Sequence, residues 1–139
     1  MDYSQFPIFG GHPVSKDIVD DLERIDVHTR ALMKATISQG AGGAKASNGT
    51  HTSGHCIDLI IRNLSNEQLR QIDAACKNVG AAPVLRLVGD DLGGGVHNLT
   101  EHLHIAFKGG SSNYAAVWAN SHDARTRNWI EKQLKRRGR

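Results

Sequence analysis

Cysteine is nearly missing from this chain: Cys56 and Cys76 are the only two, and they do not form a CxxC pair. A disulfide framework and a cysteine-based zinc site are therefore excluded, and both residues read as small buried side chains. Aromatic residues are scarce as well, with two Trp, two Tyr and three Phe. That is too few to interleave with cations over a nucleic-acid face, so no nucleic-acid partner is expected. No apolar run approaches the ~20 residues that cross a bilayer. The opening Met1-Asp2-Tyr3-Ser4-Gln5 has no basic segment leading into an apolar one. The expectation is synthesis in the cytoplasm without a signal peptide and no integral membrane segment. A serine-hydrolase GxSxG elbow and the Gly-Lys-Ser/Thr ending of a phosphate loop are absent too.

What is present suits an ordinary globular domain. The chain has 139 residues, 39% hydrophobic and 22% charged, enough to close a core without covalent staples. We expect a single monomeric domain over residues 1–139, with its core at about 15–110 and a C-terminal helical basic segment at 112–139. The net charge is +3, and Lys132, Lys135, Arg136, Arg137 and Arg139 all fall in the last eight residues. The basic balance is thus a property of the end of the chain, which reads as a solvated terminus or a wall- or membrane-seeking tail.

Periodicity divides the chain into alternating helices and strands. Ile18, Leu22, Ile25 and Met33, with Val19 and Leu32, follow a helical period from about 16 to 34 behind an N-cap at Ser15. A short strand at 35–38 precedes a glycine-rich loop from Gln39 to Gly49 that delivers the chain to His51. Cys56 to Arg62 reads as a buried strand. Ser65-Asn66-Glu67-Gln68 is a capping box that opens a helix running to about Asn78. Val84 to Val88 and Thr100 to Phe107 read as further strands, with a glycine-closed loop between them. The stretch from Tyr114 to Arg137 reads as helical, in two segments that meet near Ser121. Trp118, Trp129, Ile130 and Leu134 are the candidates for its packed side.

Two clusters break the apolar pattern. Asp58 lies in the middle of Cys-Ile-Asp-Leu-Ile-Ile, where a carboxylate is costly unless it is paired or bound to a metal. Its partner is either a cation or metal, or else loop amides or an arginine. His102 and His104, two apart on a strand, share one face while Leu103, Ile105 and Phe107 turn to the core. Either this pair is a set of metal or catalytic groups, or it is two satisfied histidines on an edge strand. His51 to His55 has HxxxH spacing, but Thr52 stands where a helical zinc protease carries its glutamate and Gly54 weakens a helix. His12, His55 and His97 read as surface or supporting residues.

His51-Thr-Ser-Gly54-His-Cys56-Ile-Asp58 resembles the HxxGxAxD signature of the zinc D-Ala-D-Ala carboxypeptidase and L-alanyl-D-glutamate endopeptidase family of peptidoglycan hydrolases, with Cys56 in place of the small residue. Glu101-His102-Leu103-His104 resembles that family's ExxH and contains an HxH. The likeness covers residues 36 to 108, and Ala46 to His51 is similar to the loop of actinobacterial and phage members. It implies an α+β fold of the hedgehog/DD-peptidase type, a small, mainly antiparallel sheet with flanking helices on one side. It also implies a bound Zn2+ held by His51, Asp58 and His104, with Glu101 as catalytic base and His102 beside it. A regular strand would turn Glu101 away from His104, so this role requires Glu101 to stand at the strand's entry, where the backbone bends. Many members have an arginine upstream of the first histidine. Gln39 stands there in this chain, and with Ser53 it is the candidate substrate-binding residue. Arginine is the usual bidentate partner of a terminal carboxylate, so Gln39 favours an endopeptidase over a carboxypeptidase. The implied activity is hydrolysis of a bond in the peptidoglycan stem peptide or cross-bridge, in the manner of a phage endolysin. The alternative is a noncatalytic zinc-containing cell-wall-binding module of the same fold.

Overall fold

A computed structural model describes residues 4–40, 54–109, 114–123 and 129–138. Strands β1 (Ile8–Phe9) and β2 (His12–Pro13) form a small antiparallel hairpin. A 3-10 turn over Lys16–Ile18, capped by the Ser15 hydroxyl, leads into α1 (Val19–His28). Next come α2 (Leu32–Thr36), β3 (Ile37–Gln39), β4 (Cys56–Ile60), α3 (Asn66–Asn78) and β5 (Ala82–Arg86). Strands β6 (Asp91–Gly93) and β7 (Val96–His97) form a second hairpin, followed by β8 (His102–Ala106), α4 (Tyr114–His122) and α5 (Ile130–Arg137). The architecture is α+β.

The central sheet has the order β3-β4-β8-β5, antiparallel throughout. Alternation along its strands sorts the side chains into two faces. On one face Ile57, Leu59, Leu85, Leu103 and Ile105 join Leu22 and Ile25 of α1, Leu69 and Ile72 of α3, and Ile130 and Leu134 of α5 in the main core. On the other, Cys56, Ala82, Val84 and Ala106 are covered by Val117 and Tyr114 of α4. Helices thus flank both faces, whereas one-sided packing was expected. Both cysteines are buried and neither forms a disulfide.

The expected helix at 16–34 is broken. Thr29 turns its hydroxyl to the Ile25 carbonyl (2.8 Å), and Arg30 and Ala31 both take positive φ, 54° and 68°. Left-handed backbone costs a non-glycine residue about 1–2 kcal/mol. The cost is offset where the Asp26 carboxylate accepts the Lys34 amide (2.9 Å) and Met33 turns into the core. The capping box at Ser65 and Gln68 is present in both directions, and α3 ends at Asn78. Three successive glycines, Gly93 to Gly95, all have positive φ at the β6–β7 turn, a path that residues with a Cβ rarely follow.

The basic end is a helix solvated on one side, where Lys132, Lys135 and Arg136 are exposed, and packed on the other. Ile130, Gln133, Leu134 and Arg137 share one face of α5, and the first three are buried. Arg136 reaches Asp90 (2.9 Å), and Arg70 of α3 holds Glu131 (2.8 Å). Trp118, expected on the packed side, is partly exposed and stacks on His122 with ring centroids 3.4 Å apart. Among the described residues no helix is long and apolar enough to cross a membrane.

Candidate functional site

The face under α4 is covered only in part, and the register gives its layout. Cys56, Ala106 and Ala82 form one row across β4, β8 and β5, beneath α4. The next row is Asp58, His104 and Val84, and the third is Ile60, His102 and Arg86. This third row emerges from under the helix: Ile60 is 46% exposed, and His102 and Arg86 are half-buried. The site therefore runs from the buried His104, past the half-buried Asp58 and His102, to the half-buried Arg86 and the exposed Ile60.

Asp58 and His104, placed in separate motifs by the sequence, are cross-strand partners. His104 Nδ1 lies 3.0 Å from Asp58 Oδ1, with the histidine side chain fully buried and the aspartate 15% exposed. Two donors each about 2.0–2.1 Å from one zinc in a tetrahedron stand about 3.3 Å apart. A separation of 3.0 Å fits a pair that shares a proton, or one that opens slightly around an ion. Either Asp58 Oδ1 and His104 Nδ1 both face the ion, or the carboxylate holds Nδ1–H and Nε2 faces it, the supporting arrangement common among zinc-binding histidines. The donor chemistry fits zinc in both cases. His51, expected as the third ligand, and Ser53, expected at the substrate, lie outside the described residues. Among the described residues no three His, Cys, Asp or Glu side chains form a metal-holding group.

His102 joins the pair at its open side, with Nε2 3.9 Å from Asp58 Oδ1. Its Nδ1 stands 2.8 Å from the Thr100 carbonyl. A carbonyl only accepts, so Nδ1 carries a proton, and Nε2 is the ring atom turned toward Asp58. Gln39 is in register with Asp58, while Ile37 is in register with Leu59. The irregularity between them lets Ile37 stay in the core and sets Gln39 beside the aspartate's strand position. The Ser38 hydroxyl donates to the Asp58 carbonyl (3.3 Å).

Glu101 is placed differently. Strand β8 begins at His102, so Glu101 does stand at the entry. Its carboxylate is ion-paired with Arg137 Nε, and Arg137 also donates to Asn66 Oδ1 and to the Ile61 carbonyl, each at 2.9 Å. Ile61 belongs to the main core, as do Leu103 and Ile105, the next two positions of Glu101's own alternation. The structure thus turns Glu101 to the α5 side of the sheet and does not bring it to Asp58 and His104.

Of the remaining histidines, His55 is buried with Nε2 3.2 Å from Asp17 Oδ2. His97 sits in β7 with Nδ1 3.3 Å from the Gly89 carbonyl, and His12 lies in β2. The residue missed by sequence reasoning is Arg86. Desolvation lowers its pKa, opposed first by the negative charge of Asp58 and more weakly by that of Asp90. The signal was a lone cation alternating with Leu85 in an apolar strand, on the same side as Val84.

Gly54 shows why the first motif contains a glycine. Its φ is +78°, its carbonyl accepts the Ser15 amide (3.0 Å), and a Cβ there would stand 2.6 Å from Ser15 N and 2.8 Å from Phe6 Cε2. Gly54→Ala is expected to destabilise by about 3 kcal/mol, from left-handed strain plus overpacking. Urea denaturation measures this, and a loss under about 0.5 kcal/mol, the ordinary effect of a surface change, would refute the close approach. No family model, curated protein or solved structure matches the chain.

Proposed function

We propose that the protein is a zinc-dependent peptidoglycan peptidase that hydrolyses a peptide bond of the stem peptide or cross-bridge. The cross-strand pairing of Asp58 with His104 at 3.0 Å carries this proposal: it joins the two motifs on which the family likeness rests. His51, Asp58 and His104 would hold the metal. When bound, zinc lowers the pKa of water toward ~7 and polarises a carbonyl. His102, with its Nδ1 proton on the Thr100 carbonyl, keeps Nε2 ready to accept a proton at the open side and return it to a leaving amine. Glu101 could serve as base only after Arg137 releases it.

That same ion pair favours a second reading, a noncatalytic zinc-containing wall-binding module. The two separate when zinc-loaded protein is incubated with purified peptidoglycan, with and without chelator, and the fragments are read by mass spectrometry. New chelator-sensitive amine and carboxyl ends are the result expected of the peptidase. Intact peptide chains from several wall types, with one zinc bound per protein, would replace it with the binding module.

A further inference from the structure

Arg86 is the feature of this face that the proposed metal chemistry does not use. It is half-buried, directly across from His102 in the register of β5 and β8, and on the side of the sheet that carries Asp58. Adjacent strands lie ~4.8 Å apart and alternate residues ~6.7 Å along a strand, which puts its Cα about 8 Å from that of His104. Among the described residues nothing hydrogen-bonds or ion-pairs with its guanidinium; Asp58 and Asp90 act on it only through charge at a distance. The protein's other described arginine on an inward-facing position is treated in the opposite way: Arg137 has all three of its nitrogens engaged. A half-buried guanidinium with no protein partner among the described residues keeps its donors open to a ligand. Five rigid donors at the open edge of the site match a planar anion.

We propose that Arg86 receives a carboxylate of the bound peptide, forming a subsite beside the Asp58–His104 pair. The assignment rests on the peptide-substrate reading above. The exposed Ile60 and the imidazole of His102 complete the row on its other side, so the subsite offers an apolar wall, an imidazole ring and a fork of donors in succession. A lysine-type stem peptide has two sources of such an anion, its C-terminus and the free carboxylate of its γ-linked glutamate.

The test is binding of three synthetic pentapeptides, L-Ala-γ-D-Glu-L-Lys-D-Ala-D-Ala, its C-terminal amide and its D-isoglutamine form, to wild type, Arg86→Met and Arg86→Lys. The Arg86 Nε–H signal in 15N spectra provides a readout independent of turnover and of zinc loading. The acid is expected to shift that signal. One of the two neutralised peptides should bind about 10–100-fold more weakly, as expected for a charge-assisted pair, and which one it is names the source. Arg86→Met should erase the difference between acid and amidated forms, and Arg86→Lys should keep part of it. Equal binding of all three peptides to wild type, no binding of any, or a preference that survives in Arg86→Met would overturn the assignment. Wild type that binds with these preferences yet never cleaves would overturn the peptidase reading and leave Arg86 standing. Cleavage with no effect of Arg86→Met on any peptide would do the reverse.

Discussion

Asp58→Asn is expected to abolish tight zinc binding while leaving the protein folded. Asparagine keeps an oxygen in place to accept the His104 Nδ1 proton, so the 3.0 Å contact loses its charge and keeps its geometry, at a cost of about 1–2 kcal/mol. The metal loses an anionic donor. If Asp58 only orients His104, affinity should fall by about 10–100-fold; if it is itself a ligand, the fall exceeds that range. Competition titration against a chelator measures the affinity, and urea denaturation the fold. His104→Ala is the contrasting change. It empties a fully buried site and strips Asp58 of its partner, so stability should drop by about 3–5 kcal/mol as well. Asp58→Asn with wild-type zinc affinity would remove the aspartate from the metal site.

The residues that build this pair were legible separately, and their meeting was not. Period-two alternation put His102 and His104 on one face of their strand, and the apolar run around Asp58 marked it as a carboxylate in need of a partner, because both patterns are local. That Asp58 and His104 are direct neighbours depends on β4 pairing with β8 in one register, which no local rule supplies. Arg86 shows the same limit. It was visible as a charge in a strand read as Val84 to Val88, whereas the strand spans Ala82–Arg86. Its relevance appears only once β5 lies beside β8. The break after His28 carried no glycine or proline to announce it, since the left-handed positions are Arg30 and Ala31.

At the basic terminus Arg137 was misjudged, for a reason that was correctable. Charge density at a chain end reads as solvation, yet the spacing of Ile130, Leu134 and Arg137 at i, i+4 and i+7 already places Arg137 on the apolar stripe of α5. A cation on such a stripe needs a buried partner. Glu101 is that partner in the structure, and this single contact bears both on the fold and on the candidate base.

Arg137→Met is therefore expected to be the most destabilising of the changes outside the sheet. The Arg137 side chain is 2% exposed and the Glu101 side chain 16%. Removing the guanidinium takes the cation from Glu101 and one donor each from Asn66 and the Ile61 carbonyl. Breaking a buried charge pair by truncating one side costs about 3–5 kcal/mol, which for a chain of this length lowers Tm by roughly 10 °C or more. Glu101→Gln leaves the cation buried without its counter-charge and should cost a similar amount. The double variant should recover about 1–3 kcal/mol of the summed loss, because the two changes remove one shared interaction. A double variant whose loss equals that sum would show that the pair is not coupled. Activity gives the second half of the experiment. Measured well below Tm on folded Arg137→Met, turnover should be unchanged if His102 handles the proton, since α5 lies on the far side of the sheet from it. A rise in turnover that Glu101→Gln then cancels would instead make Glu101 the base and Arg137 the residue that holds it away from the substrate.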